Sequence, residues 1–293
     1  TIKLTDANGD VVDATLLIDG PYMTVDPTPE YLNAGETYTL SISGELASTY
    51  GETFAAEDFT YQPMDSSPRG EPAKLLQELT TSGTSRLTGA PINQVPVNGT
   101  LLGEGANFTQ ATSDAVEAEL GDVTVYTDVT PLRIPRGTTL DGSAIEKVLI
   151  GGKVDAGFGS GDVKMVFLSD ATGYLVPNPY NSVRSDALRI VHLFMDVGIA
   201  TADPRANGGF TQDIAHIELV GVADVDTTAG TLNIDAVSVV EPDILGQEYG
   251  YGVLSFQLRS YADQENPPAV VMEDVTPPEL QSWTLGGENV GGS

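Results

Sequence analysis

The chain has 293 residues, of which 40% are hydrophobic, enough core-forming material for one to three folded domains. With 42 acidic residues against 13 basic ones the net charge is -29, which excludes nucleic acid as a partner and disfavours anionic membrane surfaces, since both require clustered Lys and Arg. Cysteine is absent, so disulfides, thiolate chemistry and Cys-based zinc sites are excluded as well, a usage common among bacterial surface proteins.

Residues 1–63 read as strands and turns. The stretch "IKLTDANGDVVDATLLID" contains two alternating runs joined across Asn8-Gly9, a hairpin signal, and "YMTVDP" is a short strand. In "TYTLSISGEL" the alternation places Tyr38, Leu40 and Ile42 on one face, and "FAAEDFTYQP" closes the unit. Thr1 already lies inside a strand-like pattern, without initiator Met or signal peptide, so the chain is expected to be a processed or excised piece. Residues 64–100 form a linker and lead-in. "PMDSSPRGEPA" has no apolar period, "KLLQELTTS" is a short helix or lead-in, and "GAPINQVPVNGT" is extended.

From 101 to 272 runs a longer β-rich unit. Its expected strands are "DVTVYTDV", "AIEKVLIGGKV", "DVKMVFLSD", "LRIVHLFMDVG", "AHIELVGVADV", "TLNIDAVSVVEP" and "YGVLSFQLRSYA", separated by Gly, Asn and Asp turns. Seven or more such strands predict a β-sandwich or jelly roll, and within this unit helix is expected only in short stretches such as "TSDAVEAELG". The segment 273–293, "EDVTPPELQSWTLGGENVGGS", again reads as the opening of a strand. No apolar run approaches the roughly 18 residues of a membrane helix, so no membrane span is expected.

Three features of residues 1–63, Asp26-Pro27, Leu32-Asn33-Ala34-Gly35 and the strand Thr37 to Gly44, resemble the second half of bacterial Ig-like domains of the S-layer type. In that family a strand ending in "xP" leads through an "L-x-A-G" loop to a strand of the form "T-x-Y-T-L-x-I-S-G". The resemblance implies a partial Ig-like sandwich at the start of the chain. The family's opening strand is missing before Thr1 and present as "EDVTPPELQSW", so 273–293 would be the first strand of a further Ig-like domain. The central "TLNIDAVSVV" is similar in style to the last strands of jelly-roll carbohydrate-binding modules. The fold expected is therefore all-β: a partial Ig-like sandwich followed by a larger β-sandwich or jelly roll.

Asp6, Asn8 and Asp10 have the spacing of a Ca²⁺ loop, but a hairpin turn uses the same residues and no Glu stands at the twelfth position. In the central unit Asp203, Asn207, Asp213, Asp224 and Asp226 sit in loops of the kind that hold a structural Ca²⁺; ordinary turn chemistry is the plainer reading. No other cofactor is called for. His192 and His216, the two histidines, fall within strands and could share a metal with Glu218, although strand histidines are more often packed residues. Tyr174, Tyr180, Tyr249 and Tyr251 are candidate carbohydrate platforms, with core or edge packing as the alternative. No "G-x-S-x-G" elbow is present and nothing ranks one carboxylate pair above another, so no enzyme is expected.

These readings converge on a non-catalytic structural module, secreted or on the bacterial cell surface, for spacing, adhesion or filament and matrix assembly. In the assembly version, the tail strand with Leu280, Trp283 and Leu285 adds to the open edge of a neighbouring Ig-like unit. The partners would then be other copies or adjoining Ig-like domains, and polysaccharide if the alternative, a carbohydrate-binding module, holds.

Overall fold

The computed structural model describes residues 2–20, 22–29, 31–44, 47–48, 50–63, 72–80, 82–95, 108–112, 115–147, 149–150, 154–179, 188–207, 214–240, 243–244, 247–248, 252–261, 283–285 and 288–290. The chain is all-β, as its alternation predicts. The N-terminal strands are β1 (Ile2–Thr5), β2 (Ala14–Asp19), β3 (Tyr22–Pro27), β4 (Tyr38–Ile42) and β5 (Glu57–Tyr61). The next group is β6 (Ala73–Leu79), β7 (Gln94–Val95), β8 (Phe108–Thr112), β9 (Val116–Leu120), β10 (Thr130–Ile134), β11 (Thr139–Ile145), β12 (Leu149–Ile150) and β13 (Val154–Asp155). Then come β14 (Gly161–Phe167), β15 (Ala171–Val176), β16 (Arg189–Thr201), the one-turn α1 (Pro204–Asn207), β17 (Ile214–Asp226) and β18 (Thr231–Val240). The last are β19 (Asp243–Ile244), β20 (Gln247–Glu248), β21 (Gly252–Ser260), β22 (Trp283–Leu285) and β23 (Glu288–Val290).

The central unit is a closed barrel, which corrects the expected sandwich or jelly roll. Its order is β15-β10-β9-β6-β21-β18-β17-β16, and β16 returns to β15 to close a ring of eight strands. Closure depends on the length of β16. Its first half, Ile190 to Phe194, pairs with β15, and its second half, Val197 to Thr201, pairs with β14. From β14 an arm continues through β11 and β8 to β7, which lies against β21. Closing the sheet removes two exposed edges that an open sandwich would have to protect.

Two glycines allow the strands to approach. A Cβ on Gly173 of β15 would collide with the backbone of His192 and Leu193, and one on Gly221 of β17 with the backbone of Asp235 and Ala236. Part of the expected linker and lead-in is a barrel strand: β6, Ala73–Leu79, joins β9 to β21. "AVEAEL" contains β9 in place of the expected helix, while most of "DVTVYTDV" is a turn, with Tyr126 N–H donating to Asp122 O at 2.8 Å. In β9, pairing with β6 and β10 overrides the local helix propensity.

Alternation places apolar side chains inside. Leu75, Leu120, Leu132, Leu175, Leu193, Leu219, Leu232 and Ile234 are fully buried, each stabilising the fold by about 1.5–3 kcal/mol relative to exposure. The outward positions of the same strands carry Lys74, Glu119, Arg133, His192, Asp196, His216, Glu218, Asp235 and Arg259. A lipid-facing barrel has the opposite polarity, with an apolar band outside. The outward charges are stitched together: Arg133 reaches Glu119 at 2.8 Å and Asp170 at 2.7 Å. Asp235, only 1% exposed, takes Arg86 at 2.7 Å and Arg259 at 3.0 Å. The loop carrying Arg86 is anchored by Asn93, whose φ of 53° suits asparagine. Its amide donates to Thr80 O and Gln257 O at 2.9 and 2.8 Å.

The expected hairpin across Asn8-Gly9 is present but short: Thr5 and Val11 form an antiparallel bridge, and the Val12 N–H donates to Leu4 O at 2.9 Å. The turn is there, with Gly9 at φ 84°, but β1 pairs with β4 and β2 pairs with β3. The result is a three-stranded sheet, β1-β4-β5, and a separate β2-β3 hairpin. The tail strand is also placed differently from expectation: Trp283 in β22 pairs with Val290 in β23, so the segment forms a hairpin within its own chain.

Candidate functional site

The most elaborate polar geometry lies where the β2-β3 hairpin meets the outer barrel wall. Residues directly opposite each other share a face, so Thr15, Leu17, Asp19, Tyr22, Thr24 and Asp26 form one side of the hairpin. This side docks. The Asp19 carboxylate accepts the His216 backbone N–H at 2.7 Å, and the Tyr22 ring stacks on the His216 ring with centroids 4.5 Å apart. At the other end Arg136 reaches Asp26 at 3.3 Å and Thr15 Oγ1 at 3.4 Å. Burial, then the nearby Asp170 charge, pushes the Asp26 carboxyl above its ordinary value against the pull of Arg136. Leu17 is buried on this same side.

Beneath the hairpin, β15, β16 and β17 carry a ladder of rings and carboxylates. His192 Nε2 meets Glu218 Oε1 at 2.5 Å, and its Nδ1 meets Tyr174 Oη at 2.9 Å. His216 Nδ1 meets Asp196 Oδ1 at 2.9 Å, and Asp196 Oδ2 accepts from Ser169 Oγ at 2.8 Å. Phe194 lies between, 4.3 Å from the His192 ring and 6.3 Å from the His216 ring. The two histidines do stand on neighbouring strands, as the sequence suggests. Each has its own carboxylate, however, and a phenyl ring separates them, so they do not converge on a shared point with Glu218.

A concavity of about 580 Å³ lies within the N-terminal unit, lined by Val11, Val12, Pro29 and Leu32 together with Asp6, Asp13 and Glu36. Tyr38 forms its floor, and its hydroxyl donates to Glu36 Oε2 at 3.0 Å and accepts the Asn33 backbone N–H at 3.0 Å. Gly35, at φ 74°, makes the tight turn expected of it, its N–H donating to Pro63 O at 2.8 Å.

The remaining candidate residues fall as follows. Asp6 Oδ1 accepts the N–H groups of Asn8 and Asp10, both at 2.9 Å, which is the geometry of a turn. Asp203 is held by Arg205 at 2.6 Å, and hydrogen bonds from that residue keep its carboxyl below the usual value. Asp226 Oδ1 accepts the N–H groups of Thr228 and Ala229 at 2.9 Å, again a turn, and Asp224 faces outward from β17 opposite Asn233. Among the described residues no group of three or more His, Asp or Glu could hold a metal. Tyr174 is bound to His192 on the wall. Tyr180, Tyr249, Tyr251, Asp213 and Leu280 lie outside the described residues, and Asn207, Trp283 and Leu285 are placed in their elements by backbone. The sequence carries only half of the hairpin's docking role: alternation groups Thr15, Asp19, Tyr22 and Asp26 on one side, and nothing local says that this side faces the barrel.

No protein-family profile and no solved structure matches the chain. The chain is 38% identical to "Alkane uptake protein B" of Marinobacter nauticus over a 321-residue alignment that covers 99% of this chain and 29% of that protein. The chain thus spans less than a third of the length of the curated relative it matches. That relative is named for alkane uptake and not for spacing, adhesion or filament assembly. The structural-module reading is therefore corrected, together with its carbohydrate-binding alternative. The self-associating and Ig-like partners are corrected on the same finding. The expectation of no membrane span is withdrawn with them. It rested on the lack of a long apolar run, which bears on helices alone and says nothing of a barrel that crosses with strands.

Proposed function

We propose that this chain is a non-catalytic part of an alkane-uptake protein and works at the bacterial cell envelope. The observation that carries the reading is the 38% identity to the alkane uptake protein along 99% of the chain. Identity sustained over that length includes the barrel and the N-terminal unit with its β2-β3 hairpin, so it supports a shared job for the whole segment. The location follows from chemistry: an alkane has no charge and no hydrogen-bonding group, and uptake brings it from outside across the cell's boundary. The barrel supplies a rigid body for this, with a packed apolar interior and a paired polar wall.

The test is genetic. The coding region for this segment is removed in frame from a strain that carries it, and entry of radiolabelled n-hexadecane is measured beside growth on acetate. Hexadecane entry is expected to fall severalfold with acetate growth unchanged. Equal hexadecane entry in both strains overturns the reading.

A further inference from the structure

The β2-β3 hairpin is mounted the wrong way round for a strand pair that needs only to be folded. An amphipathic hairpin ordinarily packs its apolar face on the body of the protein and leaves its polar face in water. Here the polar side, with Thr15, Asp19, Tyr22 and Asp26, is the one held against the barrel. The opposite side consists of Ala14, Leu16 and Ile18 paired with Pro27, Val25 and Met23, and it carries no polar side chain at all. Leu16 is 43% exposed and Ile18 54%. A contiguous apolar face kept outward by polar contacts behind it marks an interaction surface.

We infer that this outer face of the hairpin is the chain's contact surface for liquid hydrocarbon. The inference rests on the alkane-uptake reading for its occupant and on the geometry for its place. An alkane can be bound only by apolar area, because it offers nothing for a charge or a hydrogen bond to hold. The other surfaces suit it less. The barrel's apolar residues are packed against one another, with Leu75, Leu193 and Leu219 at 0% exposure, and its outer wall is laced with ion pairs. The N-terminal concavity has three carboxylates in its lining. In a chain of net charge -29, a face of six uncharged apolar residues is the complement of an uncharged oil and a poor match for water or a charged headgroup.

The purified full chain is mixed with n-hexadecane droplets in buffer, and protein depletion from the aqueous phase is measured. The variant Leu16→Ser, Ile18→Ser is expected to adsorb about tenfold less than the parent, with the same melting temperature, because both side chains are exposed on the hairpin's outer face. The control Val220→Ser, Val239→Ser, Val253→Ser removes exposed apolar residues from the barrel wall and is expected to adsorb as the parent does. Equal adsorption by the hairpin variant and the parent overturns the inference. So does a parent that is dimeric by light scattering where the hairpin variant is monomeric, since the face would then be a protein interface. Loss of adsorption in the hairpin variant, alongside unchanged hexadecane entry in cells lacking the segment, supports the contact surface while the uptake reading itself falls.

Discussion

Strand β16 of the barrel and strand β2 of the hairpin carry the same kind of alternation, and their surroundings use it in opposite ways. In β16 the apolar positions Val191, Leu193, Met195 and Val197 are sealed inside, and His192, Phe194 and Asp196 face out. In β2 the mostly polar set faces the protein, and Leu16 and Ile18 face away. Alternation therefore tells which residues share a face and does not tell which face is inward. The barrel can only turn its larger apolar surface inward, since burying it stabilises the fold by several kcal/mol per layer of side chains. The hairpin contributes little to that core. Its placement is decided by a few directed contacts, each worth about 1 kcal/mol.

That contrast can be broken first at the glycines. Gly221→Val is expected to cost about 3 kcal/mol or more in urea unfolding, because its side chain would occupy the path of the β18 backbone. Gly20→Ala, at the hairpin's own turn with φ 53° and open space around it, is expected to cost about 1–2 kcal/mol and leave the barrel folded. Next come the ion pairs. Asp235→Ala strips Arg86 and Arg259 of a buried carboxylate and is expected to cost about 2–3 kcal/mol. Asp26→Ala removes the more exposed pair with Arg136 and is expected to cost less than about 1 kcal/mol.

A smaller change sharpens the comparison further. Asp19→Ala removes the hydrogen bond to the His216 backbone and should release the hairpin alone. Amide exchange across residues 14–27 is expected to quicken while β16 and β18 keep their protection; equal quickening in both regions would show that hairpin and barrel unfold as one. The last effect concerns pH. Burial, reinforced by the Glu36 carboxylate, holds the Tyr38 phenol above its ordinary value. A group whose pKa is raised on folding contributes stability below its unfolded pKa and loses it as pH rises through the folded one. The N-terminal unit is therefore expected to loosen above about pH 10, ahead of the barrel, with tyrosinate absorbance reporting the step.

Much of the barrel was legible in particular stretches. "LRIVHLFMDVG", "AHIELVGVADV", "TLNIDAVSVV" and "GVLSFQLRS" became β16, β17, β18 and β21, because long alternating runs bounded by turns have few other solutions. "KLLQELTTS" and "TSDAVEAELG" favour helix locally through their Leu, Glu and Ala, and the strands within them, β6 and β9, are made by pairing with each other and with β21 and β10. The histidines were legible as strand residues. Their pairing with Glu218 and Asp196 was not, since a cross-strand neighbour depends on register and register is set by the whole sheet.

The sequence by itself determined that this chain is all-β, strongly acidic and free of cysteine chemistry, and it determined the membership of each strand's two faces, because side chains alternate with a period of two whatever the strand packs on. Only the tertiary structure decided that β16 returns to β15 to close a barrel, that the tail pairs with itself, and that the β2-β3 hairpin holds its polar side inward. The hairpin's placement and the barrel's closure rest on contacts between residues apart in the chain: His216 with Asp19, Arg136 with Asp26, Tyr174 with His192. Their energies depend on distance in space, which no local pattern encodes.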